Sequence, residues 1–167
     1  MSAATWEMAA VVPVRDGVLP AGSEEATAEA AGRALLVGSG TRQAGKALGG
    51  HAEQLLLAEL GEFAPGAWAR ALSAVLDPVT VVVLPASPDG RDLAPRLAAA
   101  MVRPLVAGAT EVRPGGATVV RHGGRVAELI SVDAPFVATL VPGARGVPDP
   151  PDGPAAPVVG ELELAPP

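Results

Sequence analysis

The chain has 167 residues and a mass of 16.5 kDa, with 49% apolar and 18% charged residues, which predicts one folded domain rather than a disordered chain. Lysine and arginine number 12 and aspartate and glutamate 18, a net charge of −6. Because phosphate neutralisation drives nucleic-acid binding, no nucleic-acid partner is expected for this acidic chain. Cysteine is absent, which removes disulfides, iron–sulfur clusters and thiolate metal sites.

The first half of the chain alternates predicted strands and helices. The apolar run Met8–Val14 predicts a buried strand. Residues 23–33 predict a helix with Ser23 as N-cap and an acidic first turn. Pro95 is expected in the first turn of the last helix, where a helix tolerates proline. Trp68 falls on an apolar helix face and is expected in the core. The other predicted strands are 34–38, 54–58 and 79–84, and the other helices are 41–48, 65–76 and 92–101.

The second half of the chain changes pattern. Residues 104–141 hold short alternating apolar pieces, and glycine pairs at 115–116 and 123–124 predict hairpin turns between them. The expected fold is therefore α/β, a three-layer sandwich with a mainly parallel sheet, helices on both faces and antiparallel strands toward the C-terminus. Residues 146–167 are proline-rich and predict an extended tail, in which 158–164 adds at most one edge strand.

Targeting and metal-binding signals are weak throughout. The N-terminus has no basic segment followed by an apolar one, and no apolar run approaches the roughly 20 residues that span a bilayer. We therefore expect a cytoplasmic location without membrane insertion. His51 and His122 are far apart in sequence, so no metal site is expected. His122 is predicted to lie in a turn, and His51 to begin a strand in a structural or solvent-facing role.

Gly40–Ala47 nearly spells the phosphate-binding motif G-x-x-x-x-G-K-S/T. Ala47 lacks the hydroxyl that would bind magnesium, and Gly49-Gly50 follows within a turn, so a surface glycine-rich loop is favoured over a triphosphate site. Asp89 and Asp92 form a carboxylate pair, but at a helix start the pair is better explained by capping and the helix dipole than by acid–base catalysis. No catalytic residue is predicted.

Residues 90–99, Gly-Arg-Asp-Leu-Ala-Pro-Arg-Leu-Ala-Ala, follow a buried strand and a small-residue loop. This stretch resembles, position by position, the G-R/K-D-L-A-P-R-L-A-A segment of the electron transfer flavoprotein alpha subunit, in its N-terminal domain. Weaker similarity extends over about 8–145, including a strand before Pro142-Gly143 where Val141 replaces the family's usual arginine. The resemblance implies the fold of that domain, which is like the adenine-nucleotide alpha-hydrolases.

The family's second domain holds FAD and is marked by S-R-x-x-V-D-x-G-W, Q-V-G-Q-T-G and G-I-S-G-A-I-Q-H segments, none of which occurs here. The resemblance therefore implies a domain over 1–145 and a tail over 146–167, where the FAD domain would begin. It implies no cofactor bound by this chain alone, and FAD held through a partner chain. The alanine-rich composition, with arginine in excess of lysine, suggests a GC-rich bacterial genome. For such a genome the resemblance implies a variant associated with mycofactocin redox systems.

Two functions are expected from these observations. The first is a non-enzymatic, alpha-subunit-like component without the FAD domain. It would act as a scaffold that pairs with a beta-like electron transfer flavoprotein subunit in electron transfer from a dehydrogenase. The second is a small AMP- or ATP-binding module, and an inactive remnant is a further alternative. Related folds bind nucleotides at the carboxyl ends of parallel strands, so the predicted cofactor-binding residues are Gly38, Gly40, Lys46, Ser87, Gly90 and Arg91.

Overall fold

The computed structural model describes residues 2–147 and 156–164, which form nine strands, four helices and two short 3-10 turns. The strands are β1 (Met8–Val14), β2 (Arg33–Gly38), β3 (Gln54–Glu59), β4 (Val81–Pro85), β5 (Leu105–Arg113), β6 (Gly116–Arg121), β7 (Val126–Ser131), β8 (Phe136–Leu140) and β9 (Val158–Glu161). The helices are α1 (Ser23–Glu29), α2 (Thr41–Leu48), α3 (Pro65–Leu76) and α4 (Pro88–Ala100).

All nine strands join one sheet in the order β7-β6-β5-β8-β4-β1-β2-β3-β9. β1, β2, β3, β4, β8 and β9 are parallel, whereas β5, β6 and β7 form an antiparallel meander at one edge. The predicted α/β class with a mainly parallel sheet is confirmed. β8 differs from the sequence expectation, because it lies between β4 and β5 and is parallel to both rather than antiparallel.

Two apolar layers cover the sheet, one on each face. α1 and α2 pack on the first face, where Phe136 is the largest buried side chain. α3 and α4 pack on the other face around Trp68 and Trp6. Most of the remaining core consists of alanine, valine and leucine, as the low aromatic content predicts. The parallel strands are buried on both faces, which explains why their sequences read as continuous apolar runs.

α1 is shorter than predicted. Gly22, not Ser23, is its N-cap, and the Ser23 hydroxyl donates a hydrogen bond back to the carbonyl of Pro20 at 2.6 Å. The helix ends at Glu29 because Ala31 and Gly32 take positive φ angles of 52° and 74°, which turn the chain into β2. The acidic first turn is present as predicted.

α4 is longer than predicted and begins at Pro88, with Ser87 as N-cap. Pro95 therefore lies inside the helix, and the prediction that it occupies the first turn is wrong. A proline there cannot donate to the carbonyl four residues earlier, that of Arg91. Pro95 and Arg91 are both exposed, so water can solvate that carbonyl.

The C-terminal segment adds the edge strand that the sequence allowed. β9 pairs in parallel with β3, and residues 148–155 of the predicted tail lie outside the described residues. None of the described helices is long and apolar enough to cross a membrane. Within 2–147 and 156–164, no three histidine or acidic side chains approach closely enough to hold a metal ion.

Candidate functional site

The candidate site is the edge of the sheet at which the parallel strands end. From β1 the chain builds outward to β2 and β3, and it then returns to place β4 on the other side of β1. In open α/β sheets, ligands bind in the crevice outside the carboxyl ends of the strands at such a reversal. The crevice between the ends of β1 and β4 is therefore where a ligand is expected.

An ion pair bridges this crevice. Arg15 follows β1 directly, and its Nε and Nη2 donate to the two carboxylate oxygens of Asp89, in the first turn of α4, at 2.5 and 2.7 Å. The hydrogen bond with Asp89 raises the pKa of Arg15 above its ordinary value, although burial opposes the shift. The guanidinium also lies 4.8 Å from the ring centre of Phe63, a cation–π distance.

Two aromatic rings pack next to the ion pair, Phe63 against Arg15 and Trp68 against Phe63. Phe63 meets Trp68 edge-on, with ring centres 5.1 Å apart and an interplanar angle of 88°, the favoured T-shaped geometry. Trp68 is fully buried, and its Nε1 has no hydrogen-bond partner within the described structure. We call Arg15, Asp89, Phe63 and Trp68 the crevice cluster.

A second carboxylate occupies the N-terminus of α2. Glu59, the last residue of β3, accepts hydrogen bonds from the Gly40 N–H at 2.7 Å, the Thr41 N–H at 3.1 Å and the Thr41 hydroxyl at 2.8 Å. Backbone N–H groups at a helix N-terminus are the donors that bind phosphate in nucleotide sites. Here the chain's own carboxylate uses them.

The structure brings together only part of the predicted nucleotide cradle. Gly38, Gly40, Ser87 and Gly90 lie at the carboxyl edge. Lys46 lies in the last turn of α2 and is exposed, about 7 Å along the helix axis from its first turn, so it is not brought to the cradle. Arg91 lies beside a separate groove of about 370 Å³ between α4 and the strands β5 and β8.

The glycines and the serine of the cradle have structural roles in this geometry. A Cβ atom on Gly38 would lie 1.9 Å from the carbonyl oxygen of Val14, and one on Gly90 would lie 1.9 Å from that of Pro85. Both glycines therefore permit close contact of backbones. Ser87 caps α4, since its hydroxyl accepts from the Gly90 N–H at 3.1 Å.

Sequence reasoning missed Arg15, Glu59 and Phe63. Each follows or ends a predicted strand on the carboxyl side, and that position was the signal available in the sequence. The pairing of Arg15 with Asp89, 74 residues apart, has no local signature. Asp89 itself lies in the first turn of α4 as the capping interpretation expects, whereas Asp92 pairs with Arg96 one turn along the helix.

The two histidines lie away from the residues of the candidate site at the carboxyl edge. His122 has a φ of 53° in the β6–β7 turn, as predicted for a turn residue. His51 does not begin a strand, as the sequence suggested, but ends a 3-10 turn, where its Nε2 is 3.9 Å from a carboxylate oxygen of Glu24.

Glu59→Gln should lower the free energy of unfolding at neutral pH by about 1 kcal/mol. Burial opposes ionisation of Glu59, but hydrogen bonds from Thr41 and Gly40 outweigh it, so its pKa lies below the ordinary value of 4.5. A carboxyl group with a lowered folded pKa stabilises the fold above its unfolded pKa and loses that contribution as the pH falls through the folded value. Urea unfolding near neutral pH and well below 4.5 measures this dependence.

The control for this prediction is Glu62→Gln, which removes an exposed carboxylate three residues further along the chain. The wild-type protein should lose more stability on acidification than the Glu59→Gln variant, while the control should follow the wild type. Parallel pH profiles for all three proteins would show that Glu59 does not stabilise the α2 N-terminus.

The residues of this edge do not fit a nucleotide phosphate in their present arrangement. Glu59 holds the donors of α2, and the crevice is bridged by Arg15 and Asp89. A model of the family described as electron transfer flavoprotein domain matches residues 10–167 of the chain. Comparison with curated proteins finds no match.

Proposed function

Because the chain belongs to the electron transfer flavoprotein domain family, we propose that it is an alpha-subunit-like component that acts as a scaffold. In this role it pairs with a beta-like subunit and takes part in electron transfer from a dehydrogenase. It contributes a docking surface rather than a reaction, and so it is not an enzyme.

The main observation in favour of this proposal is that the chain's own side chains occupy the carboxyl edge of the sheet. A nucleotide carrier would need free donors at the α2 N-terminus and an open crevice between β1 and β4. The carboxylate of Glu59 takes the donors, and the Arg15–Asp89 pair spans the crevice with two hydrogen bonds. These contacts support a role in which the domain binds a partner protein through its surface and does not bind a nucleotide.

The proposal includes a domain over 1–145, a proline-rich segment over 146–167 and FAD held through a partner chain. β9 pairs with β3, so part of the proposed tail adds to the sheet of the domain. A cytoplasmic location belongs to the same proposal. So does an association with mycofactocin redox systems, which rests on the resemblance and on composition.

A small AMP- or ATP-binding module is the second candidate. One observation favours it: the three donors around Glu59 already bind an anionic group, and a phosphate has the same requirement. Titration of AMP and of ATP against the isolated chain separates the two functions. We expect no binding at micromolar concentration, and micromolar affinity for either nucleotide would favour the module.

Co-expression with a candidate beta-like subunit tests the scaffold directly. We expect the two chains to co-purify as a yellow complex with flavin absorption bands, and the chain expressed alone to be colourless. A purified chain that carries stoichiometric FAD without a companion would overturn the proposal. A colourless chain that captures no beta-like subunit would favour the inactive remnant.

A further inference from the structure

β7 is a weakly protected edge of the described sheet. Proteins usually protect an edge strand with charged side chains, lysine above all, with proline, with a β-bulge or with a very short length. The six residues of β7 contain neither lysine nor proline, and Glu128 is the one charged residue among them. Their pairing with β6 runs from Val126 to Ser131 without a register shift. Leu129 is 73% exposed and Val126 47% exposed on this strand.

The register of β7 shows which backbone groups face outward. The Val132 N–H donates to the Gly115 carbonyl at 2.9 Å, so in the alternation of an antiparallel pair the even-numbered residues of β7 bond to β6. The N–H and C=O groups of Ala127, Leu129 and Ser131 therefore point away from the sheet, on the side where β7 has no neighbour among the described strands.

We propose that a second copy of this chain pairs with β7 in antiparallel orientation, about a two-fold axis at Leu129. An antiparallel pair of identical strands is two-fold symmetric, so one edge serves both copies. In this register Leu129 faces Leu129 of the second copy, and Ala127 faces Ser131. The outward groups of these residues then satisfy each other in a continuous ladder, and the two sheets become one.

Side-chain chemistry selects this register. It places Val126 opposite Val132 and Arg125 opposite Asp133 of the second copy, so opposite charges meet at both ends of the pairing. Arg125 and Asp133 are exposed, and within the described residues neither forms an ion pair. Shifting the axis to Glu128 would set two carboxylates directly opposite each other, which is unfavourable. In the proposed register each Glu128 lies diagonal to its copy and keeps its own partner, Arg121, at 3.2 Å.

The other free edge of the sheet is less suited to this pairing. β9 has only four residues and follows Pro157 directly. Val158 and Val159 are exposed by 60% and 51%, which makes β9 a matched control of similar surface character. The inference does not depend on the proposed electron-transfer role, because it concerns only this chain and its own copy.

Sedimentation equilibrium of the full chain, from about 1 μM to about 1 mM, tests the proposal, since weak pairs dissociate within this range. We expect a reversible dimer. Leu129→Lys sets two ammonium groups opposite each other at the axis and should raise the dimer Kd at least about tenfold. Val159→Lys, at the opposite edge, should leave the Kd unchanged. Circular dichroism verifies that each variant is folded.

A charge exchange tests the register independently of Leu129. Arg125→Asp should raise the dimer Kd by about threefold to tenfold, since like charges then meet at both ends. Adding Asp133→Arg to the same chain should restore the wild-type Kd. Three results would overturn the proposal. The chain could stay monomeric over the whole concentration range, or the dimer could be lost with Val159→Lys but not with Leu129→Lys. The third is a double variant whose dimer Kd is no lower than that of Arg125→Asp alone.

Discussion

Gly38→Ala should lower the free energy of unfolding by about 4 kcal/mol, because it combines a strained backbone conformation with a steric clash. Gly38 has a φ of 140°, a backbone region that is nearly restricted to glycine. The added Cβ would lie 1.9 Å from the carbonyl oxygen of Val14 and 3.1 Å from Cη2 of Trp68. The Val14 carbonyl cannot move freely, because it accepts from the Ser39 N–H at 3.2 Å.

The matched control is Gly45→Ala, in the same glycine-rich stretch. Gly45 lies inside α2, and a Cβ there would make ordinary contacts of 3.5 to 3.7 Å with leucine side chains. Alanine in a helix interior should stabilise the protein by about 0.5–1 kcal/mol. Urea unfolding followed by circular dichroism compares the two variants. Similar stability of the Gly38→Ala variant and the wild type would refute the close approach of β1 and β2.

Trp68→Ala should lower the free energy of unfolding by about 3–5 kcal/mol, because it removes the largest fully buried side chain and leaves a cavity. The loss should extend to the crevice cluster. Phe63 packs edge-on against Trp68, and Arg15 lies over Phe63. Without the indole, Phe63 loses the contact that positions it against Arg15, and the ion pair of Arg15 with Asp89 should weaken. Unfolding is followed by circular dichroism, since the substitution removes a fluorophore.

Two Trp→Phe variants separate packing from hydrogen bonding. The indole Nε1 of Trp68 has no hydrogen-bond partner among residues 2–147 and 156–164, whereas that of Trp6 donates to the side-chain oxygen of Gln54 at 2.6 Å. Trp6→Phe should therefore cost about 1 kcal/mol more than Trp68→Phe, the usual net value of one hydrogen bond. Equal costs of the two Trp→Phe variants would contradict a stabilising hydrogen bond between Trp6 and Gln54.

Local sequence was sufficient to predict the bounds of an element where the residues of that element alone determine them. The run Met8–Val14 forms β1 and the 3.6-residue apolar spacing of 65–76 forms α3, each with the predicted bounds. Gly49 ends α2 because its positive φ of 39° suits glycine. Errors arose at boundaries, where competing caps decide. Ser87 followed by proline begins α4 four residues before Asp92, the predicted start.

The sequence by itself determined the α/β class, because buried parallel strands require continuous apolar runs and surface helices require amphipathic ones. Only the tertiary structure decided what the carboxyl edge does. Glycine-rich turns there are compatible with either phosphate binding or close backbone contact. The choice depends on two contacts at this edge, that of Glu59 with the N-terminus of α2 and that of Arg15 with Asp89. Such long-range pairing depends on strand order, and neither composition nor periodicity encodes that order residue by residue.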